Sequence, residues 1–458
     1  MRTKRHFLLA TCYVLASYAF VGWVLAGCAK HTTTKIPQDL TELSQDARVY
    51  VSQSYKISQE QSAKLAELYF KLWSQPWNDM EINPHTNEVF WMLDSLLKNP
   101  GFGENLLPNS LDFTQRIYQD MEIDTYPNAK TKAIIVRESD VRAVPTDKPY
   151  FKSKDGYPFD RWQNSRIFAG TPVLITHFDS TKQWAHIQTN FVYGWVRVDD
   201  LAYISDDQIA LLMDTKQSTT PHYITPNTDN IGLYSQKGDF VGLARIGQIF
   251  RIATNQPKSH QDTKLVYVFS RESNGSLQIS LAQVRDSDFS EFPQKLTPYA
   301  MAEILNTMIG DKYGWGGYLG NRDCSAFVRD SFGYFGVYLP RNSQAQAHYA
   351  KNMIDLRTKS REEKERYIIE NATPFATILW LKGHIMIYLG TYNNKAIVAH
   401  SVWSVSTSTI FSKTQNMFGG VVISTLYAGA ENNGRFSHTL LVDRILGMSD
   451  LYMYMEGL

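Results

Sequence analysis

The sequence predicts an α+β protein in which a helix-and-strand domain follows two small β-barrels and a helical N-terminal domain. Three observations support this architecture. Apolar residues recur at helical spacing through residues 54–123, two sets of short β runs occupy residues 132–289, and a helix followed by alternating strands comes after Pro293. A chain of 458 residues is long enough for roughly two to four domains.

The composition favours packed domains and gives no sign of a nucleic-acid partner. Hydrophobic residues make up 43% of the chain and aromatic residues 13%, which is ample for hydrophobic cores. Residues 1–27 hold three Lys or Arg and no acid, so the remainder has 43 basic and 45 acidic residues and a net charge of −2. Such a balance does not support nucleic-acid binding. The charged run 359–366 (KSREEKER) is predicted to be a solvated helix face.

The N-terminus has the pattern of a lipoprotein signal peptide. A basic start precedes the apolar run 7–26, and the small residues Ala26 and Gly27 stand directly before Cys28. An uncleaved membrane helix is the alternative, since the run is about long enough to cross a bilayer. The small pair before Cys28 favours cleavage and lipidation instead.

We therefore expect residues 1–27 to be a signal peptide and residues 28–53, which are polar, to be a tether. Lipid on Cys28 would attach the exported protein to a membrane. Ala29 rather than Asp follows Cys28, which by analogy with bacterial lipoproteins favours the periplasmic face of the outer membrane.

Four domains are predicted after the tether. Residues 54–130 are expected to form a helical domain, residues 131–214 a first small barrel and residues 215–291 a second. Neither barrel carries a paired-carboxylate, metal or phosphate-loop signature, and the helical domain shows no catalytic grouping. Residues 292–458 combine helices with strands and hold the residues that suggest chemistry.

Cys324 is the cysteine that needs an explanation. Of the three cysteines, Cys12 lies in the leader and Cys28 is assigned to lipid, which leaves Cys324 without a disulfide partner. It follows a glycine-rich stretch and opens a helical pattern, with Asp323 at or beside the N-cap. A helix N-terminus lowers a thiol pKa, so a reactive nucleophile is expected. A core cysteine is the alternative interpretation.

Two histidines follow on predicted strands. His384 begins one strand and His400 closes the next, so antiparallel pairing could bring the two side chains together. A thiol on a helix, an imidazole base on a strand and a third polar residue form the layout of papain-like thiol hydrolases. Either histidine could instead be a satisfied core residue. Zinc binding by these three residues lacks an evident fourth ligand, so we expect no metal and no cofactor.

The same segments resemble the NlpC/P60 cysteine peptidases. The matching motifs are residues 313–317 (YGWGG), 323–325 (DCS), 340–343 (PRNS) and 383–390 (GHIMIYLG). The wider layout resembles the subgroup with a helical N-terminal stabilising domain and two bacterial SH3-like barrels. Residues 142–146 and 158–160 resemble parts of its first barrel.

The resemblance implies a γ-D-glutamyl-L-diamino acid endopeptidase that acts on peptidoglycan stem peptides. It assigns Cys324 as nucleophile, His384 as base and His400 as the residue that orients His384. The first barrel would close the cleft so that only stems with a free N-terminal L-Ala fit. The implied substrate-binding residues are Asp323 and Ser325 at the amine, Tyr313 and Trp315 along the cleft, and Arg341 and Ser343 in a loop beside it.

Other functions stay open at this point. The chain could be a catalytically inactive or occluded wall-binding lipoprotein, or an endopeptidase or amidase acting on intact sacculi. Residues 359–371 look like an additional exposed segment before the His384 strand, and Leu440–Leu446 like a helix. A monomer is expected.

Overall fold

The computed structural model describes residues 31–214, 221–253, 262–408, 412–432 and 438–458. The predicted signal peptide and the lipidation of Cys28 lie outside these residues. No helix within the described ranges combines the length and the apolar character that crossing a bilayer requires.

Residues 31–53, predicted to be a tether, are folded against the C-terminal domain, so that part of the prediction was wrong. Strand β1 (His31–Lys35) pairs in parallel with the strand Ser412–Thr425. Asp39 accepts a hydrogen bond from the Thr425 amide at 2.6 Å, and Tyr50 is buried in the core of that domain. The threonine-rich run supplies the missing neighbour of an edge strand, a tertiary contact that composition does not reveal.

The N-terminal region is helical, as predicted. Its helices are α1 Asp39–Glu42, α2 Gln59–Trp73, α3 Thr86–Val89, α4 Leu93–Lys98 and α5 Leu111–Asp120. Ser58 and Gln61 form a capping box that starts α2. The apolar face of α2, with Tyr69 and Trp73, packs on residues of both barrels. The region therefore joins the other domains rather than standing apart.

The first barrel is a seven-stranded sheet in the order β4-β3-β7-β6-β5-β2-β8. Its strands are β2 Thr131–Ile135, β3 Ser139–Arg142, β4 Gln163–Ile167, β5 Pro172–Phe178, β6 Trp184–Gln188, β7 Tyr193–Arg197 and β8 Leu201–Tyr203, and helix α6 Asp206–Leu212 follows. The indole of Trp77 donates to the carbonyl of Ala133 at 2.7 Å, which fixes the helical region to β2.

The second barrel has two sheets, in the orders β11-β10-β14-β13 and β12-β9-β15. The strands are β9 Tyr223–Pro226, β10 Ile231–Ser235, β11 Phe240–Ala244, β12 Phe250–Arg251, β13 Thr263–Arg271, β14 Leu277–Arg285 and β15 Phe289–Glu291. Short 3₁₀ turns elsewhere span Ala47–Tyr50, Gln75–Trp77, Ile123–Thr125, Val198–Asp200, Asp286–Asp288 and Trp315–Gly320.

The C-terminal domain places helices against one seven-stranded sheet, ordered β1-β20-β19-β18-β17-β21-β16. The helices are α7 Pro298–Met308, α8 Cys324–Gly333, α9 Ser343–Tyr349, α10 Arg361–Asn371, α11 Leu441–Arg444 and α12 Leu451–Glu456. The strands are β16 Ile354–Asp355, β17 Thr377–Leu381, β18 His384–Tyr392, β19 Lys395–Ser408, β20 Ser412–Thr425 and β21 Ile445–Asp450. The predicted α+β class is confirmed.

Two local predictions in this domain need correction. Helix α10 is not fully solvated, because Lys364 and Glu365 are buried. The Lys364 ammonium donates to the carbonyls of Asp443 and Ile445, both at 2.9 Å. The segment expected to be a helix over Leu440–Leu446 is a single turn, and it leads into β21 because the edge of β17 offers backbone partners.

Candidate active site

Cys324 is the first residue of α8. The Asp323 side chain caps this helix by accepting from the Ala326 amide at 2.9 Å. Among the described residues Cys324 is the free cysteine, and it is 8% exposed. Cys324 is therefore largely buried, and it lines a cleft.

The electrostatic setting of the thiol opposes the low pKa expected from a helix N-terminus. Burial, together with the neighbouring charge of Asp323, raises the pKa of Cys324 to about 12. The backbone amides of Ile385 and Ser325 and the charge of Arg341 act in the opposite direction but are weaker. The resting sulfur is therefore a neutral thiol.

His384, His400 and Ser424 form a hydrogen-bonded chain across three adjacent strands. Nε2 of His384 lies 2.8 Å from Nδ1 of His400, and Nε2 of His400 lies 3.0 Å from Oγ of Ser424. Antiparallel pairing of β18 with β19 and of β19 with β20 produces this alignment. The structure thus brings the two predicted histidines together and adds Ser424, which the sequence analysis missed.

The direction of these hydrogen bonds determines which ring nitrogen of each histidine carries the proton. The Ser424 hydroxyl donates to the carbonyl of Thr425 at 3.1 Å, so its oxygen accepts from Nε2–H of His400. Nδ1 of His400 is then the acceptor for Nε2–H of His384. Nδ1 of His384 consequently carries a free lone pair, the form that a base requires.

The imidazoles are held neutral beside the thiol. Burial, with a smaller contribution from Arg444, lowers the pKa of His384 to about 3. Burial also holds the pKa of His400 well below its ordinary value. The amide of Ile385, directly after His384, reaches the Cys324 sulfur closely enough to shift its pKa. The start of β18 therefore lies against the start of α8, with both groups uncharged.

Asp323, predicted to hold a substrate amine, is already saturated. Its Oδ1 accepts from Ala326 N at 2.9 Å, Ser325 Oγ at 3.1 Å and Arg341 Nη1 at 3.0 Å. Its Oδ2 accepts from Gly316 N at 3.0 Å and Arg341 Nη2 at 2.7 Å. A carboxylate offers about four acceptor positions, so none is left for an ammonium group.

Arg341 is buried and connects this carboxylate to the first barrel. Its Nε donates to Ser165 Oγ at 2.9 Å and its Nη1 to Ser325 Oγ at 2.6 Å. Burial alone would raise the pKa of Asp323, but the charge and hydrogen bonds of Arg341 hold it below its usual value. Asp323, Ser325 and Arg341 therefore form one buried unit behind the nucleophile.

The cleft over Cys324 is a cavity of about 680 Å³. Its walls come from the helical region (Trp91, Met92 and Ser95), the first barrel (Lys152, Arg161, Gln163, Asn164, Phe191, Val192 and Tyr193) and the C-terminal domain (Tyr313, Trp315, Gly316, Asp323, Cys324, Ser325, Arg341, Asn342, Ser343 and Gly383). Every substrate-binding residue predicted from the sequence lies on this wall. A cavity of about 50 Å³ beside Tyr69 and Arg329 does not reach Cys324.

The glycine-rich loop closes the cleft against the first barrel. Gly316 has φ +61°, and a Cβ there would come within 2.5 Å of the carbonyl oxygen of Gln163. The Gln163 side chain also donates to the Gly316 carbonyl at 3.1 Å. Burial beside Cys324 and Asp323 raises the pKa of Tyr313 well above its usual value, so this phenol stays protonated. Only glycine permits this close approach of loop and barrel.

The described residues hold no group of three or more His, Cys, Asp or Glu side chains arranged to bind a metal. Nε2 of His384, both ring nitrogens of His400 and Oγ of Ser424 are instead used in hydrogen bonds to each other.

Comparisons with known proteins agree with this architecture. Family profiles match as the NLPC_P60 stabilising domain at residues 18–126, an SH3 domain of SH3b1 type at 148–197, and the NlpC/P60 family at 310–418. The solved structure of an NlpC/P60 endopeptidase from Photobacterium damselae subsp. piscicida superposes with a TM-score of 0.77 at 22% identity, covering 92% of this chain and 99% of that chain.

A second solved structure, NlpC2 from Trichomonas vaginalis, gives a TM-score of 0.24 at 11% identity over 65% of this chain and 96% of that chain. That score is too low to indicate a common overall arrangement. No curated protein matches the sequence significantly.

A thiol at the N-terminus of a helix that packs on two strands carrying hydrogen-bonded histidines defines the papain-like class of cysteine hydrolases. Within that class the chain belongs to the NlpC/P60 family of cysteine peptidases, which act on peptidoglycan peptides, and it carries the family's stabilising and SH3 domains ahead of the catalytic domain.

Proposed function

We propose that the protein is a cysteine endopeptidase that cleaves the γ-D-Glu–L-diamino acid bond of peptidoglycan stem peptides. The observation that carries this proposal is the hydrogen-bonded chain from His384 through His400 to Ser424. It begins at the residue directly before Ile385, whose amide acts on the Cys324 thiol. It supplies a base with a free lone pair next to a nucleophile at the floor of a cleft.

In the acylation step, the Cys324 sulfur attacks the γ-carbonyl carbon while its proton moves to Nδ1 of His384. A neutral thiol and a neutral imidazole need this transfer during attack, because the ion pair is not formed in advance. The carbonyl oxygen becomes an oxyanion to which the Cys324 amide can donate. Collapse breaks the C–N bond, and His384 gives its proton to the departing amine.

Deacylation reverses the roles. His384 removes a proton from water as the water oxygen attacks the thioester carbonyl, and the proton is returned to the sulfur as the C–S bond breaks. His400 keeps the ring of His384 in one orientation by accepting from its Nε2–H. Because His400 is fully buried, water does not compete for that hydrogen bond.

We extend the proposal to stems with a free N-terminal L-Ala. Trp91 and Met92 of the helical region and Tyr193 of the first barrel line the same cleft as Cys324. Large side chains on that wall leave little room for a glycan strand attached to the stem. We therefore propose that the cleft selects free stems by size. An ion pair between the stem amine and Asp323 is disfavoured, because the acceptor positions of Asp323 are occupied.

We further propose that the protein is an exported lipoprotein, held through lipid on Cys28 at the periplasmic face of the outer membrane. The residues before Cys28 motivate this. Incorporation of labelled fatty acid into the wild-type chain but not into Cys28→Ser, followed by membrane fractionation, tests it.

Mass spectrometry of reaction products tests the enzymatic proposal. Free tri- or tetrapeptide stems should yield L-Ala-γ-D-Glu, and Cys324→Ala and His384→Ala should release none of it. Wild-type turnover in either variant contradicts the assignment. Release of cross-linked or glycan-bearing fragments from intact sacculi would favour the sacculus-hydrolase alternative, and no cleavage of any substrate would favour the inactive wall-binding lipoprotein.

A further inference from the structure

Arg161 presents an unpaired cation in the cleft. Its guanidinium carbon lies 4.6 Å from the ring centroid of Trp315 and 5.7 Å from that of Phe159. Among the hydrogen bonds and ion pairs of the described residues, none involves this guanidinium. A guanidinium has five N–H donors in a fixed fork, so Arg161 has its whole donor set available to a ligand.

The remaining charges of the cleft do not neutralise it. Asp323 is the only carboxylate among the described residues that line the cavity, and its oxygens are occupied by Arg341 and neighbouring donors. Lys152 adds a second, exposed cation to the barrel side. The charge that the cleft offers to a substrate is therefore positive.

Arg161 opens into the same cavity as the reacting thiol. Trp315, on which its guanidinium stacks, lines the same cavity as Cys324. The pKa of the Tyr313 hydroxyl is influenced by the charges of both Cys324 and Arg161. Arg161 and Cys324 therefore line one cavity, with Trp315 and Tyr313 on the same wall.

We propose that Arg161 is a specificity-determining residue that binds a carboxylate of the substrate. The inference rests on the proposed function: a γ-linked glutamate keeps its α-carboxylate free near the scissile bond, and the diamino acid brings a carboxylate on the other side. A guanidinium binds a carboxylate through two parallel hydrogen bonds. The stacking on Trp315 holds the fork in place for that contact.

The test compares Arg161→Gln with wild type on stems that differ in one group. One stem has the glutamate α-carboxylate, a second has the corresponding amide, and a third has the diamino-acid carboxylate amidated. We expect Arg161→Gln to lower kcat/KM roughly 10- to 100-fold on the stem whose carboxylate it binds, and to change turnover of the matching amide little. The amide that removes the effect identifies the carboxylate.

Lys154→Gln is the matched control, because Lys154 is exposed on the same barrel and lies outside the cavity. It should leave all three rates unchanged, while Arg161→Lys should restore part of the preference. Equal loss on carboxylate and amide stems would mean that Arg161 only packs on Trp315, and would overturn the proposal. An Arg161→Gln variant that loses no kcat/KM on any of the three stems would also overturn it.

Calorimetry on Cys324→Ala separates this inference from the proposed function. The carboxylate stem should bind more tightly than its amide, and the additional change Arg161→Gln should abolish the difference. If wild-type protein cleaves no stem yet Cys324→Ala keeps that preference, the proposed function fails and the subsite stands. Equal binding of the two stems, or no binding of either, overturns the subsite.

Discussion

Arg322 and Asp229 join the turn before the nucleophile to the second barrel. The Arg322 guanidinium is buried and donates to Asp229 Oδ1 at 3.0 Å, to the Ile246 carbonyl at 2.9 Å and to Asp330 at 2.8 Å. The backbone carbonyl of Arg322 accepts a hydrogen bond from Ser401 Oγ at 2.7 Å. The second barrel therefore contributes to the position of Cys324 although it does not line the cleft.

We predict that Asp229→Asn destabilises the protein and slows catalysis, because one partner of a buried ion pair is lost. The free energy of unfolding, measured by denaturant titration, should fall by about 3 kcal/mol. The exposed pair of Asp355 and Arg357 provides the control, and Asp355→Asn should have no measurable effect. Equal behaviour of the two variants would contradict a structural role for Asp229.

Ser424→Ala should reduce kcat about tenfold with little change in KM. The substitution leaves Nε2–H of the buried His400 without an acceptor, at a cost of about 1–3 kcal/mol. His400 can then change tautomer and release His384 from its orientation. Steady-state kinetics on a free stem measures this, and Ser424→Thr, which keeps the hydroxyl, should retain most activity. Full activity in Ser424→Ala would show that the chain ends at His400.

Alkylation of Cys324 by iodoacetamide should be slow at neutral pH and rise steadily between pH 6 and 10. The thiolate reacts, and a pKa raised to about 12 keeps its fraction small until high pH. Peptide mass mapping of the Cys324-containing peptide follows the rate. A plateau below pH 8 would instead indicate an ion pair with His384 in the resting enzyme.

His186 should make the protein sensitive to acid. Its imidazole is buried in the first barrel, and Nε2 has no hydrogen-bond partner among the described residues. Burial, followed by the charge of His177, lowers the pKa of His186 to about 3 from an ordinary 6.5. A depressed pKa contributes stability above pH 6.5 that is lost as the pH falls toward 3.

His186→Gln removes the titration while keeping a polar side chain of similar size. The free energy of unfolding of this variant should depend less steeply on pH between 6.5 and 4 than that of wild type. Denaturant titrations at several pH values provide the comparison. Parallel curves for the two proteins would assign the acid sensitivity to other groups, such as His384.

The elements with local signals could be predicted from the sequence. Cys324 and Asp323 stand at a helix start that follows a glycine-rich approach, and His384 starts an alternating strand. Each of these patterns is contained in a few consecutive residues. Each residue of the predicted active site could therefore be recognised from the short segment in which it lies.

The contacts between distant segments could not be predicted in this way. Arg161 stacks on Trp315, and Ser424 is hydrogen-bonded to His400. Neither Arg161 nor Ser424 lies in a sequence motif that would indicate its contact. The thiol pKa also depends on burial in the folded protein, which outweighs the helix N-terminus. The pairing of strand β1 could not be predicted for the same reason, because its partner strand begins at Ser412.

The pairing of β1 with β20 has a consequence for where the enzyme can work. Were Cys28 to carry lipid, only Ala29 and Lys30 would separate it from His31, and full extension limits those three Cα–Cα steps to about 11 Å. The catalytic sheet would then sit almost on the bilayer surface. Such a hydrolase would meet small fragments diffusing past the membrane and would have little reach into a distant murein layer.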